Sequence, residues 1–271
     1  MRRTVQALVA GAALLLTTLG PATAASAAPS LPNSIAAIGD SISQAVDVCC
    51  FYGNWPSHAW STGYDPFDGV TSHYERIRAA NPAITGRRYN DSVSGAQMAD
   101  APGQARKAVA QGAGYVTILM GANDLCGWNG SLTSTADFRA QFEETMGILD
   151  GLPAGAHVFV ASIPNLYQLW SILHTDPVAE AVWQVAGICP SMLRLTNSAA
   201  DRQLVVDREQ DFNGVLADVC GRHPACRFDG LRVYDYPFTK GMVSRLDYFH
   251  PNLTGQATLA ALTWSASWWG S

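Results

Sequence analysis

Three stretches of this chain are apolar with no regular polar alternation, and they constrain its fold more than any other feature. They are Ser34-Ile35-Ala36-Ala37-Ile38, Tyr115 to Met120 and His157 to Ala161, and they end at punctuation, namely Gly39, Gly121 and Pro164. A strand with one wet face alternates; a continuous run rich in β-branched residues is expected where both faces are covered, as in a parallel sheet between helical layers. Helical spacing fills the intervals: Pro102 to Gln111, Asp137 to Leu149 with Phe138, Phe142, Met146 and Leu149 on one stripe, Asn197 to Val219, and Thr254 to Trp264. Strands alternating with helices predict an α/β chain with a parallel sheet and helices on both faces. No repeat, low-complexity tract or linker divides it, so residues 29–271 are expected to form one domain.

Residues 1–28 have the pattern of a secretory leader. Arg2 and Arg3 precede an apolar run from Val5 to Leu19, and small residues end in Ala25-Ser26-Ala27. That run is shorter than the ~20 residues a spanning helix needs, and no later window is long and apolar enough, so integral membrane association is not expected. Export makes the six cysteines candidates for disulfides, and none is spaced as a zinc ligand set. Several connectivities remain open. The one expected here joins Cys220 to Cys226 and Cys126 to Cys189, leaving Cys49 and Cys50 to a strained vicinal bridge. Sequons at Asn90, Asn129 and Asn252 match a glycosylation pattern.

Composition narrows the function. With 48% hydrophobic and 14% charged residues the chain is built to pack, and a net charge of -5 without a basic stripe argues against a nucleic-acid partner. Chemistry-bearing residues gather at the ends of the apolar runs. Gly39-Asp40-Ser41-Ile42 follows the first one directly, at the carboxyl end of a strand, where open α/β sheets collect ligand-facing groups. Ser41 there is either a usable hydroxyl or a helix N-cap. Asn90-Asp91-Ser92-Val93-Ser94-Gly95 ends in a glycine whose N–H can approach a ligand, and Gly121-Ala122-Asn123-Asp124 offers an amide to an oxyanion. Each alone also reads as turn chemistry. Near the C-terminus, Asp247-Tyr248-Phe249-His250 lets a carboxylate orient an imidazole within one turn. The other histidines have no acidic residue three positions before them.

Together these blocks supply a nucleophile, a base with its orienting acid, and oxyanion donors. Ser43 stands where a Gly-x-Ser-x-Gly elbow would need its second glycine, so the α/β-hydrolase fold is not indicated. Gly39-Asp40-Ser41, Gly95, Asn123 and Asp247-x-x-His250 resemble, in order, the four signature blocks of the SGNH or GDSL hydrolase family. That resemblance implies a three-layer α/β/α sandwich on a five-stranded parallel sheet, with no metal or organic cofactor. It implies Ser41 as nucleophile, His250 as base and then acid, and Asp247 as its orienting partner. The oxyanion hole would comprise the Ser41 and Gly95 N–H groups and the Asn123 side chain. Hydrolysis should then lose rate in acid as the imidazole protonates.

The block Gly121 to Cys126 also resembles phospholipase B-like members, which favours lipid esters. Trp55, Trp60, Trp128, Tyr167, Trp170, Trp183, Tyr236 and Phe238 could line an acyl site or simply form core. The expected protein is a secreted monomeric esterase or lipase acting on a lipid or acylated small molecule. The alternatives are a carbohydrate acetyl esterase and an inactive secreted binding module.

Overall fold

The computed structural model describes residues 28–127 and 131–270, together with Met1. The expected leader lies outside the described residues apart from its two ends, as do Trp128 and Asn129. Five strands form one sheet: β1 (Ile35–Gly39), β2 (Arg88–Asn90), β3 (Tyr115–Leu119), β4 (His157–Val160) and β5 (Cys226–Phe228). Their order is β2-β1-β3-β4-β5 and every pairing is parallel. Helices α1 (His73–Ala80), α2 (Ala101–Ala110), α3 (Ala122–Leu125), α4 (Thr135–Leu149), α5 (Leu166–Leu173), α6 (Pro177–Ala186), α7 (Pro190–Leu193), α8 (Ala199–Gly221) and α9 (Leu253–Ala266) surround it. This is a three-layer α/β/α fold.

The central strands show why their sequences do not alternate. Side chains of a strand point to opposite faces in turn. Ala36, Ile38, Val116, Ile118, Val158 and Val160 enter one core with residues of α2, α4 and α8, while Ile35, Tyr115, Leu119 and Phe159 enter a second with α1 and α9. Both faces are dry, so both sets must be apolar. β2 and β5 are three residues each, reading Arg-Tyr-Asn and Cys-Arg-Phe, and carry no such signal.

The structure adds five helices to those expected, of which α3 and α7 are four residues each. α1 starts at a capping box in which Ser72 accepts from the Glu75 N–H and Glu75 from the Ser72 N–H. α6 starts with Asp176 as cap and Pro177 as first residue, and it ends at Gly187 in the left-handed region (φ 63°). α5 is short and lies between them. No described helix is long and apolar enough to cross a membrane.

Two sets of polar contacts cross-brace the second core. His73 is fully buried, with Nδ1 against the Tyr115 hydroxyl at 2.9 Å and Nε2 against Thr263 Oγ1 at 2.9 Å. Burial pushes its imidazole down to about 3, and Arg76 acts in the same direction. Ser61 and Thr117 share a hydrogen bond of 2.5 Å on the same face.

Two of the expected disulfides are formed, Cys126–Cys189 and Cys220–Cys226. The third is not: Cys49 and Cys50 are free thiols. Joining adjacent cysteines closes a small strained ring. This turn is closed instead by Asp47, whose N–H donates to the Gly53 carbonyl (2.9 Å) and whose Oδ1 accepts from the Gly53 N–H (2.7 Å). Burial and the neighbouring Cys50 raise the Cys49 thiol to about 11, leaving it unreactive as a thiolate near neutrality. The Asn90 and Asn252 amides are already spent, on Ser43 O and on the Gly241 and Val243 carbonyls respectively, which leaves neither disposed to carry a glycan.

Candidate active site

The site is assembled at the carboxyl ends of β1, β2 and β3. β1 ends at Gly39, where a Cβ would lie 2.7 Å from the Leu119 carbonyl and 2.5 Å from Ser43 Oγ; only glycine permits this approach. Gln104 of α2 grips Gly39 at both polar atoms, its Oε1 accepting from the N–H at 2.8 Å and its Nε2 donating to the carbonyl at 3.0 Å. The chain then turns sharply. Asp40 Oδ1 accepts from the Ile42 N–H (2.9 Å), and Gln256 of α9 donates to Ile42 O (2.9 Å) while accepting from Trp60 N. Ser41 is thereby held at the carboxyl end of the sheet by bonds from both helical layers.

His250 reaches Ser41 from the opposite end of the sequence. Its Nε2 lies 2.7 Å from Ser41 Oγ, and its Nδ1 is hydrogen-bonded to Asp247 Oδ2. With Nδ1–H given to the carboxylate, Nε2 is the acceptor for the serine hydroxyl. The other Asp247 oxygen accepts from the N–H groups of Phe249 (2.9 Å) and His250 (3.1 Å). Burial raises the Asp247 carboxyl, but the His250 bond and charge and these two N–H groups outweigh it and hold it below its ordinary value. The segment itself is a tight loop. Ser244 N donates to His250 O (2.8 Å), Tyr248 N to Ser244 O (3.0 Å), and Trp183 of α6 anchors the Tyr248 carbonyl (3.0 Å).

Two further loops flank Ser41. Residues 91–95 continue β2 alongside β1, with Asp91 N donating to Ala37 O (2.9 Å) and Val93 N to Gly39 O (3.1 Å). They end at exposed Gly95 in the left-handed region (φ 81°), where a side chain would meet open space; the backbone angle, not crowding, demands glycine. Beyond β3, Gly121 (φ 126°) starts α3, and a Cβ there would be 2.5 Å from Ile163 Cδ1. α3 carries Asn123, whose Nδ2 donates to Ala96 O at 3.0 Å, so the Gly95 and Asn123 loops are tied together.

Two residues that no sequence motif signalled, Gln104 and Gln256, complete the frame together with Asp124 of the Gly-Ala-Asn-Asp block. Asp124 accepts from Met98 N and Thr133 Oγ1, both at 2.9 Å, and burial pushes it up to about 6. Asp40 is likewise raised by burial to about 6; the Ile42 N–H and His250 lower it, and Asp124 raises it.

Beside the serine an apolar recess opens. Ile42, Ala122, Phe249 and Pro251, which adjoin Ser41, Asn123 and His250 in sequence, line it together with Leu169, Ile172, Phe238 and Met242. Of the aromatic residues considered from sequence, Phe238 alone lines it among the described residues; Trp60 and Trp183 are buried core, and Trp170 lies under the Arg202 guanidinium.

A parallel five-stranded α/β/α sandwich with a serine, an imidazole and a carboxylate in hydrogen-bonded sequence defines an α/β/α hydrolase outside the Gly-x-Ser-x-Gly class. The chain belongs to the GDSL-like lipase/acylhydrolase family, whose model matches residues 37–258, and it is a carboxylic ester hydrolase. Among solved structures it is similar to the extracellular lipase of Streptomyces rimosus (20% identity, TM-score 0.50, covering 86% of this chain and 99% of that one). It is also similar to TesA (18%, 0.52, 86% and 97%) and to the acetyl xylan esterase AlAXEase (15%, 0.53, 86% and 98%). At these identities the likeness is one of fold. No curated protein sequence matches the chain.

Proposed function

We propose that this protein is a secreted serine esterase that cleaves lipid esters through an acyl-enzyme. Ser41 attacks the ester carbonyl as His250 Nε2 takes its proton, and Asp247 holds the imidazolium that results. Negative charge developing on the carbonyl oxygen is met by the N–H groups of Ser41 and Gly95 and the Asn123 amide. His250 then protonates the departing alkoxide, leaving the acyl group on Ser41 Oγ. Water then attacks the acyl carbonyl as His250 takes its proton, and the Ser41 Oγ–acyl bond breaks as His250 returns that proton to Oγ, releasing the acid.

The observation that carries the lipid assignment is the apolar recess beside Ser41, walled by Leu169, Ile172, Phe238, Met242 and Phe249. An acyl chain loses apolar surface to water on entering it, at roughly 0.8 kcal/mol per buried CH₂. A 2-carbon acetyl group has less apolar surface to bury there than a longer acyl chain. The apolar leader pattern over residues 1–28 and the two cross-links support export, with residues 29–271 as the mature domain.

The test is a rate comparison across p-nitrophenyl acetate, butyrate and decanoate and acetylated xylan, with Ser41→Ala beside the wild type. We expect kcat/KM to rise from acetate to the longer acyl chains and Ser41→Ala to lose activity by at least 10³-fold. Preference for acetate or acetylated xylan would replace the lipid assignment with a carbohydrate deacetylase. Activity surviving in Ser41→Ala would remove the serine mechanism.

A further inference from the structure

Behind the Asp247–His250 pair lies a second carboxylate that the sequence blocks do not include. Asp47 follows the Ser41 turn, and its carboxyl is brought to the triad by an unusual local backbone. Asp47 has φ 52°, in the left-handed region that Asp tolerates better than most residues. Three hydrogen bonds hold it there: the two to Gly53 that pinch residues 47–53 into a closed loop, and one from Ser244 Oγ to the Asp47 carbonyl at 2.5 Å. Tyr52 adds a bond from its hydroxyl to the Leu246 carbonyl (3.0 Å). The loop is thus tied at two points to residues 244–250, which carry Asp247 and His250.

The result is a compact charge cluster. One oxygen of Asp47, one of Asp247 and a ring nitrogen of His250 lie within 4.8 Å of one another. Asp47 is 8% and Asp247 5% exposed, so water does little to separate the two carboxylates. Two like charges at this distance resist joint ionisation. Burial first, and then Asp247, raise the Asp47 carboxyl, while the Gly53 N–H and His250 draw it down. The charged groups that act on Asp47 are Asp247 and His250 from the C-terminal loop, and His250 also lowers the Asp40 carboxyl on its other flank.

We propose that Asp47 is a positioning residue for the ester hydrolysis, a second negative charge whose repulsion with Asp247 is relieved when His250 becomes an imidazolium. With both carboxyl groups ionised, the resting cluster sets two negative charges against a neutral ring. When His250 accepts the Ser41 proton, one positive charge stands close to both and both attractions come into play. The favourable interaction thus grows on the way to the transition state, which is the kind that raises kcat. The pinched loop fixes the distance in advance, so no reorganisation is needed at that moment.

This inference rests on the serine mechanism proposed above, and the experiment separates the two. Asp47→Asn keeps an oxygen for the Gly53 N–H and tolerates φ 52°, removing only the charge. We expect the acidic limb of its kcat/KM profile on p-nitrophenyl butyrate to move down by about one pH unit, the lower end of what a charge at this distance does. Plateau kcat should fall about tenfold with KM unchanged, and Asp47→Glu should recover part of both. Asp47→Gly, which adopts the same backbone without strain, should show the same downward shift and covers the case in which the Asn variant does not fold. An acidic limb that stays in place in a folded Asp47→Asn or Asp47→Gly enzyme overturns the proposal while leaving the triad intact. Activity in a Ser41→Ala control would instead remove the reading on which it stands.

Discussion

Asn123 has one amide nitrogen and two uses for it. One N–H is spent on Ala96 O, at 3.0 Å, which ties the α3 start to the Gly95 loop. The other remains for an oxyanion. Asn123→Ala removes both, and because the residue is only half-buried the cost in folding should be modest. We expect kcat on a short ester to fall about 10²–10³-fold, the usual loss for one oxyanion donor. A folded variant with wild-type kcat would reassign Asn123 to bracing alone. The chemistry of acyl transfer restricts which residue types can act, and this singled out Ser41, Asn123, Asp247 and His250 in the sequence; the structure joins Ser41, His250 and Asp247 by hydrogen bonds although Ser41 and His250 are 209 positions apart. Bracing restricts little. Gln104 and Gln256 hold the Ser41 turn from 65 and 214 positions away, with no local pattern to announce them, and Asp47 depends on a loop closure visible only in three dimensions.

Elements were legible in proportion to their apolar periodicity. β1, β3 and β4 declare themselves because both faces are dry, and α4 because one stripe is. β2 and β5 do not, since three partly exposed residues held by a neighbouring strand need no hydrophobic pattern of their own. α1, not expected from the sequence, starts at the Ser72 and Glu75 capping box, and its most consequential residue is a polar one. His73 lies between β3 and α9, and its burial carries a definite pH signature. Its imidazole is pushed down to about 3 in the folded protein, against 6.5 in an open chain, so the unfolded state takes the proton first. Its contribution to stability is complete above pH 6.5 and declines as pH falls toward 3, by up to about 1.4 kcal/mol per pH unit. Asp40 and Asp124, pushed up to about 6, act with the opposite sign over part of the same range. Comparing wild type with His73→Phe cancels them. In urea unfolding at pH 7, 6, 5 and 4, we expect the stability difference to move steadily against the wild type as pH falls. A difference independent of pH would mean that His73 exchanges no proton on unfolding.

The molecule as a whole is cross-linked where its layers would otherwise part from the sheet. Cys220–Cys226 spans six positions, from the end of α8 to the start of β5, and Cys126–Cys189 spans 63, from α3 to the turn before α7. Chain entropy alone assigns about 2 kcal/mol to the first and about 4 kcal/mol to the second, because the longer loop restricts the unfolded chain more. Location adds a functional difference. Cys126 closes the helix that bears Asn123, and Ser191 of α7 donates to the Leu125 carbonyl beside it, so the second bridge anchors the Asn123 loop from outside. Replacing Cys126 and Cys189 together by Ala should therefore cost the larger share of stability in urea and also lower kcat at temperatures where the enzyme is folded. The Cys220/Cys226 pair, remote from Ser41 in the chain and joined to the far edge of the sheet, should cost about half as much stability and leave kcat near wild type. Equal kcat in the two double variants would show that the Ala96 and Met98 bonds suffice to hold the Asn123 loop, and that the long bridge serves folding only.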